Sequence, residues 1–557
     1  MYRIFSSLIT LLLIFSLSAN AQKLKIAEDV DKQLSKVDPN DIKRHVDYLA
    51  DDALLGRKPG TAGYDMAVNY VIEQFKKMKV APGGNSGSYL QQVNLLNAST
   101  SKEQSSFVLQ YHDGTSEELS WGRDFVLNPH FESAEVEFEG SLVFAGYGIH
   151  APEIGYDDYA DIDVKGKVVV ILRGTPPNTP STIAAHSQGN YAQLEAAFNH
   201  GAAGVLIGTL LSRPLSFSDR NSIIAAADEK GKVVYTRAHY DPAIKVFGNI
   251  SAGILNNLFK VSQIDLGETL IKLEQGKPAS TPLEASIKVA YSSKYQITES
   301  HNVIGKIEGS DPVLKKEFVV HSAHLDHIGV GRPVKGDSIN NGAHDNASGV
   351  ASLLEIARIY SNLKTKPKRS ILIVMVTAEE MGLLGSAYFV RRPTVPKESI
   401  VAGINTDMPT IIAPLLSAVA LGAEHSSLSN EVMKACGYLG IDYEEDPEPE
   451  QVRFVRSDQY SFVMAGIPAL HIKYGNKSEP GVDLKQLVAE WRAEYYHRPQ
   501  DGPDGIFDYE AGKKYVQLNF LISYQVAQAD GRPYWLENDF FGGRYGKKRQ
   551  ENLSGSR

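Results

Sequence analysis

The sequence predicts an α/β protein in three αβα layers: a mixed, mostly parallel central sheet held between helices, with a smaller inserted module of α/β and β character. Three observations predict it. Between residues 300 and about 530 the runs KEFVVHSA, RSILIVMVT, SIVAGINTD and GIPALHIKY are apolar throughout and of strand length, the pattern of strands buried on both faces. Helical sequence, including ASGVASLLEIARIYSNL and YEAGKKYVQLNFLISYQVAQ, alternates with them, and alternating strands and helices place helices over a parallel sheet. A separate stretch, residues 141–290, has its own strand and helix pattern in VFAGYGI, DVKGKVVVILRG and YAQLEAAFNHGAAGVLIGT.

The elements follow in order. Arg3, an apolar run over residues 4–17 and Ala19, Asn20, Ala21 form a secretory signal peptide over residues 1–21, so export to a periplasm or the surroundings is expected, with a mature chain from Gln22. The run is short of the ~20 apolar residues a membrane span needs, and no membrane span is expected after its removal. Polar helical sequence comes next, then GRKPGTAG, whose proline and glycines are turn chemistry. Ala67, Tyr70, Val71 and Phe75 then recur at helical spacing. Short alternating runs such as SSFVLQYHDG read as strands. These changes of texture divide the chain into 22–110, 111–292 and 293–530, with a glycine-rich polar tail over 531–557.

Length and composition allow this. A chain of 557 residues suggests two or three domains. Its 43% hydrophobic and 22% charged content is that of a globular protein, and a formal charge of −9 argues against nucleic acid as a partner. Cys436 is the sole cysteine, so no intrachain disulfide is expected, and it reads as a packing residue.

Chemistry gathers in the last third. HSAHLDHIG carries His324 and Asp326, GAHDNASGVA carries Asp345, TAEEMGLLGS carries Glu379 and Glu380, NTDM carries Asp407 and YYHRPQD carries His497. Two imidazoles and three ligand carboxylates, with one further glutamate, are what two zinc ions and a general base need. Asp345 is read as the bridge, Glu380 and His497 as completing one metal, His324 and Asp407 the other. Asp326 is placed to accept the other ring N–H of His324 and fix its tautomer. Glu379 is the candidate general base on a metal-bridging water, and Tyr496 the candidate donor to the oxyanion. His327, His344 and Asp501, in the same motifs, are expected in outer or structural roles. Several of these residues fall at strand C-termini, the edge where open α/β sheets hold their sites.

The segments HSAHLDH, GAHDNASGVA, TAEEMGLLGS, NTDM and YYHRPQD resemble the signature blocks of metallopeptidase family twenty-eight, the co-catalytic zinc aminopeptidases and their relatives. GRKPGTAGYDMAVNYVIEQF and RSDQYSFVMAGIPAL resemble further blocks of it. The resemblance implies a three-layer zinc-peptidase (phosphorylase/hydrolase-like) fold. It implies two zinc ions on the residues matching His324, Asp345, Glu380, Asp407 and His497, Glu379 as base, and a cis bond between Asp345 and Asn346. It also implies that the middle module is a protease-associated (PA) domain near the cleft. The expected activity is an exported aminopeptidase acting on peptide substrates; oligomeric state is not indicated. Carboxypeptidase or dipeptidase action is the alternative, with Arg453 and Arg456 as a clamp for a substrate carboxylate. A mono-zinc cyclase or a receptor-like protein without catalysis is disfavoured, since all six positions hold the needed residue types.

Overall fold

The computed structural model describes residues 24–547, 549 and 550; the leader read over residues 1–21 lies outside them. An 11-stranded sheet organises the chain. Its principal strands are β1 (Leu90–Ser101), β2 (Lys294–Ile307), β3 (Phe318–His324), β4 (Ser370–Val376), β5 (Ile400–Asn405), β6 (Ser417–Leu421) and β7 (Ala469–Tyr474). They lie in the order β1-β2-β4-β3-β5-β7-β6. The central four, β4, β3, β5 and β7, run parallel. These are the four apolar runs picked out in the sequence.

The sheet is nevertheless mixed rather than mostly parallel, because six of its ten strand pairings among the described residues are antiparallel. The flanking strands β1 and β2 carry polar residues along much of their length, so their sequence says nothing of a doubly buried parallel position.

Burial alternates along the central strands with the two-residue period of a strand. In β4, Ile371, Ile373 and Met375 belong to the apolar core on one face, and Leu372, Val374 and Val376 to that on the other. The first face is covered by Pro39–Leu49, Ala62–Lys77, α1 (Ser348–Asn362) and α2 (Tyr509–Gln528). Leu384–Arg391 and Gln459–Met464 cover the second. Side-chain oxygens cap several of these helices: Asp38 accepts from Asn40 N at 2.9 Å and Asp508 from Ala511 N at 2.9 Å.

A second sheet of eight strands runs from Ser105–Tyr111 to Thr281–Ser292 and has separate cores on its two faces. Arg220–Ala227, in the middle of this stretch, leaves it and pairs antiparallel with β1 in the large sheet. The helix Ser181–Ser187 packs against Pro449–Gln451 and Arg453–Val455, turns beside the site. The polar tail expected over 531–557 is partly core instead. Phe541 is 0% exposed, and Phe540 and Tyr545 are buried with it against the second face. Aromatic residues among the glycines outweigh the polar composition there. No helix among the described residues is long and apolar enough to cross a membrane.

Candidate metal centre

The chain order β3, β4, β5 places β4 on one side of β3 and β5 on the other, so their C-terminal loops diverge above β3 and leave a crevice. The strand ends are level there, with His324 opposite Val376 and Ser322 opposite Asn405. His324 closes β3, Glu379 and Glu380 follow β4, and Asp407 follows β5. Asp345 comes from the turn Ala343–Ala347 before α1, and His497 from the turn after the helix Leu484–Tyr495.

Asp345 stands between the two histidines. His324 Nε2 lies 3.2 Å from Asp345 Oδ1 and 3.3 Å from Asp407 Oδ1. His497 Nε2 lies 3.2 Å from Asp345 Oδ2 and 3.3 Å from Glu380 Oε2. One carboxylate thus turns one oxygen to each cluster. Two ligand-type groups share it, His324–Asp345–Asp407 and His327–Asp345–Glu380, each with its donor atoms within 4.8 Å. The structure adds His327, whose Nδ1 is 2.7 Å from Glu380 Oε1.

The electrostatics are those of a site that wants positive charge. Burial works against a charged His324, yet its hydrogen bonds to Asp345 and Asp407 hold its pKa well above the usual value. Burial pushes Asp407 up, but the His324 hydrogen bond and charge outweigh it and bring the carboxyl to about 2. Burial raises Glu379 well above the carboxylate range, with the charges of Asp407, Asp458 and Glu380 adding to it. The donor set, imidazole nitrogens and carboxylate oxygens around shared Asp345, fits divalent cations of the zinc type.

Supporting residues hold the donors in place. Asp326 does not accept the His324 ring N–H through its carboxylate. His324 Nδ1 is 3.1 Å from the Asp326 backbone oxygen, and the Asp326 carboxylate instead accepts from Glu379 N at 3.1 Å and Glu380 N at 3.4 Å. The Asp326 carboxylate lies 4.0 Å from that ring nitrogen, beyond hydrogen-bonding reach. Burial raises Asp326 to about 6. Asp501 accepts from His344 N at 2.9 Å and Asp345 N at 3.1 Å, bracing the turn that carries Asp345. The Asp345–Asn346 peptide is cis. Asn346 Oδ1 accepts from Gly349 N and Met408 N, and His344 stacks on Phe507 with centroids 4.0 Å apart.

Two residues that the motif reading passed over belong here. Arg57, in the GRKPGTAG turn, is 1% exposed and donates to four backbone oxygens: Leu325 (3.0 Å), Leu49 (2.5 Å), Asn341 (2.5 Å) and Gly342 (3.0 Å). It ties the N-terminal turn to the loops after His324 and before Asp345. Nothing local in the sequence marks it, since three of its four partners are backbone atoms 268 to 285 residues away in the chain. Asp458 is fully buried, and burial, with the nearby charge of Asp407, raises it to about 7. Its signal was the RSDQY segment, noted for resemblance alone.

Next to the donors is a cavity of about 270 Å³, lined among others by Glu379, Asp407, Arg456, Lys473, Arg492 and Tyr496. Tyr496 stacks on His497 with centroids 3.9 Å apart, and burial raises its phenol, so the hydroxyl keeps its proton. Lys473 Nζ donates to Asp407 O (3.0 Å) and Met408 O (2.5 Å), and burial lowers it to about 7. Cys436 is buried away from the site, and burial raises its thiol to about 12.

Residues 302–519 match the model of peptidase family M28. The match contains every predicted donor. Parts of the chain are similar to aminopeptidase NAALADL1 of Mus musculus, with 34% identity over 134 residues, 23% of this chain and 16% of that protein. Aminopeptidase YwaD of Bacillus subtilis is 25% identical over 273 residues, 49% of this chain and 44% of that protein. Carboxypeptidase Q of Mus musculus is 32% identical over 120 residues, 21% of this chain and 23% of that protein. The chain spans less than half the length of each of these curated relatives. An aminopeptidase structure from Aneurinibacillus sp. strain AM-1 aligns with a TM-score of 0.46 at 20% identity, covering 90% of this chain and 97% of that one.

Proposed function

We propose that this chain is a metallo-exopeptidase, an aminopeptidase that removes N-terminal residues from peptides with two zinc ions on His324, Asp345, Glu380, Asp407 and His497. The observation that carries the reading is the Asp345 carboxylate shared between two histidine–carboxylate clusters, with Glu379 beside them. The M28 match and the aminopeptidase names among the relatives support it. His327, in contact with Glu380, orients that ligand or joins it.

Zinc bound there supplies Lewis acidity toward the scissile carbonyl and makes a water acidic enough to attack near neutral pH. Glu379 takes the proton from the attacking water and passes it to the leaving amine. It lines the cavity beside the donors, where the substrate would enter. Tyr496, held against His497 with its proton retained, donates to the developing oxyanion. Asp501, Asp326 and Arg57 keep the donor loops in register. The unit over 111–292 is read as a protease-associated domain that shapes the cleft from the side, through the helix Ser181–Ser187. Export follows from the leader over residues 1–21.

The basic residues in the cavity favour a second reading, carboxypeptidase or dipeptidase action. One panel separates the two: aminoacyl-nitroanilides beside N-blocked peptides with a free C-terminus, each with and without chelator. Chelator-sensitive cleavage of free-amine substrates alone, reduced ~10²–10⁴-fold in Glu379→Gln, establishes the aminopeptidase. Cleavage of blocked peptides replaces it with the carboxypeptidase, and no turnover by metal-loaded protein removes both.

A further inference from the structure

Away from the candidate metal centre, one further group of ligand-type side chains stands together among the described residues. His150, Asp157 and His200 each place a donor atom within 4.8 Å of the others. The group shares no residue with the first centre. Register explains half of it. The strands His150–Ala151 and Tyr156–Asp157 pair antiparallel, with His150 directly opposite Asp157. Opposed residues project from the same face, so the imidazole and the carboxylate meet. His200 comes from another element, as the residue that ends the helix Asn190–Asn199. Its ring lies edge-on to that of His150, with centroids 4.9 Å apart.

The outer atoms of these side chains are already held. His200 Nδ1 donates to Ala196 O at 2.8 Å, which leaves Nε2 with its lone pair. Tyr159 stacks on the same ring, with centroids 4.5 Å apart, and fixes its plane. Asp157 Oδ1 accepts from Tyr159 N at 2.9 Å, which leaves Oδ2. A ring N–H on a backbone carbonyl and a hydrogen-bonded carboxylate are the supports that orient metal ligands. His150 Nδ1 is buried, stands 2.9 Å from Asp157 Oδ2, and makes no hydrogen bond. A cation held by both would satisfy that nitrogen and that oxygen together. The His150 and Asp157 side chains are 36% and 25% exposed, so water can complete the coordination. Two imidazoles and one carboxylate suit a zinc-type divalent cation rather than calcium or magnesium.

The group lies on a seam. Ile149, Ala151 and Tyr156 of the hairpin pack with Phe540 and Phe541 in the core on the second face of the large sheet. Ala196 and Ala197, just before His200, belong to a core of the second sheet. Arg544 already spans the two sides: Nη1 donates to His150 O at 3.0 Å, and Nη2 lies 3.2 Å from Glu195.

We propose that His150, Asp157 and His200 form a separate zinc-type metal site that clasps the second-sheet unit to the hairpin packed on the large sheet. The site is independent of the peptidase reading. It is structural in position, and ligand binding to the folded state alone makes it stabilising.

Equilibrium dialysis of the full chain against zinc, read by elemental analysis, compares wild type with Asp157→Asn and His200→Gln. Asparagine at 157 keeps an oxygen for Tyr159 N, and circular dichroism in metal-free buffer checks that both variants fold. At limiting free zinc each variant is expected to bind one equivalent fewer than wild type. Affinity at this site should fall by at least ~10-fold, the scale on which even an outer partner of a ligand matters. Zinc should also raise the urea midpoint of wild type further than that of either variant. Zinc-loaded wild-type crystals, measured at the zinc absorption edge, locate the ion without any variant, as an anomalous peak between the three side chains. Equal uptake and equal midpoint shifts in all three proteins overturn the site. So does the absence of that peak, or a peak at crystal concentrations of zinc that dialysis does not match.

Discussion

Arg57 shows how much of the site rests on one residue outside the motifs. A buried guanidinium is costly unless every donor is met, and here backbone oxygens at one helix end and in two loops meet it. Burial lowers it only to about 10, so it stays charged, and the carboxyls of Asp326 and Asp501 favour that charge. Arg57→Met leaves the oxygens of Leu49, Leu325, Asn341 and Gly342 unpaired. The expected cost is ~3 kcal/mol, read as a lower urea midpoint with unchanged slope, together with weaker retention of metal on dialysis. An unchanged midpoint would show that water replaces the guanidinium. The contrast with His324 is instructive. That histidine is legible from HSAHLDH because the residues it needs recur in fixed order along the chain, whereas Arg57 lies in a stretch that reads as an ordinary turn.

At the scale of elements, the turn before α1 does the most exacting work. Gly342 has φ +59°, and a Cβ built on it would lie 2.1 Å from Asp345 O and 2.6 Å from the His327 ring. Both the backbone sign and the space require glycine. Gly342→Ala forces the turn to shift, displacing Asp345 from its place between His324 and His497. The expected result is a loss of ~1–3 kcal/mol and less than the full metal content by elemental analysis. Wild-type metal content in this variant would show that the turn adapts. Helix α2 makes a milder case: its N-cap Asp508 accepts from Ala511 N at 2.9 Å, so Asp508→Ala is expected to cost ~1 kcal/mol in the urea midpoint without touching the site. The central strands and both long helices were legible because periodicity and apolarity are local. The pairing of Arg220–Ala227 with β1, more than a hundred residues earlier, was not, since neither strand's own sequence names its partner.

The whole molecule carries a pH signature from histidines buried neutral. His321 on β3 is fully buried, neither ring nitrogen has a partner, and burial takes its pKa to about 3. In the unfolded chain the ring titrates near ~6.5. Between those values the unfolded state binds a proton that the folded state refuses. The stability involved is fully present above about 6.5 and is lost progressively as pH falls toward 3. His321→Leu removes this linkage. The difference in unfolding free energy between variant and wild type should therefore shift in favour of the variant, by up to one proton's slope, from about pH 6.5 to pH 4. Parallel pH dependences of the two proteins would place that proton elsewhere. Other groups in the molecule titrate alike in both proteins and cancel in the difference.

The sequence by itself determined the class of fold, the parallel core strands and the residue types gathered for metal chemistry, because strand and helix periods and the order of donor motifs are written along the chain. The tertiary structure alone decided which donors meet. It set Asp345 between the two histidines, drew His327 to Glu380, and gave the His324 ring the backbone of Asp326 rather than its carboxylate. It also brought Arg57 under the loops and gathered Arg456, Lys473 and Arg492 from distant segments around one cavity. Those relations depend on distances across the sheet and between its ends, and a distance in space is set by the packing of all the elements together. No stretch of sequence contains it.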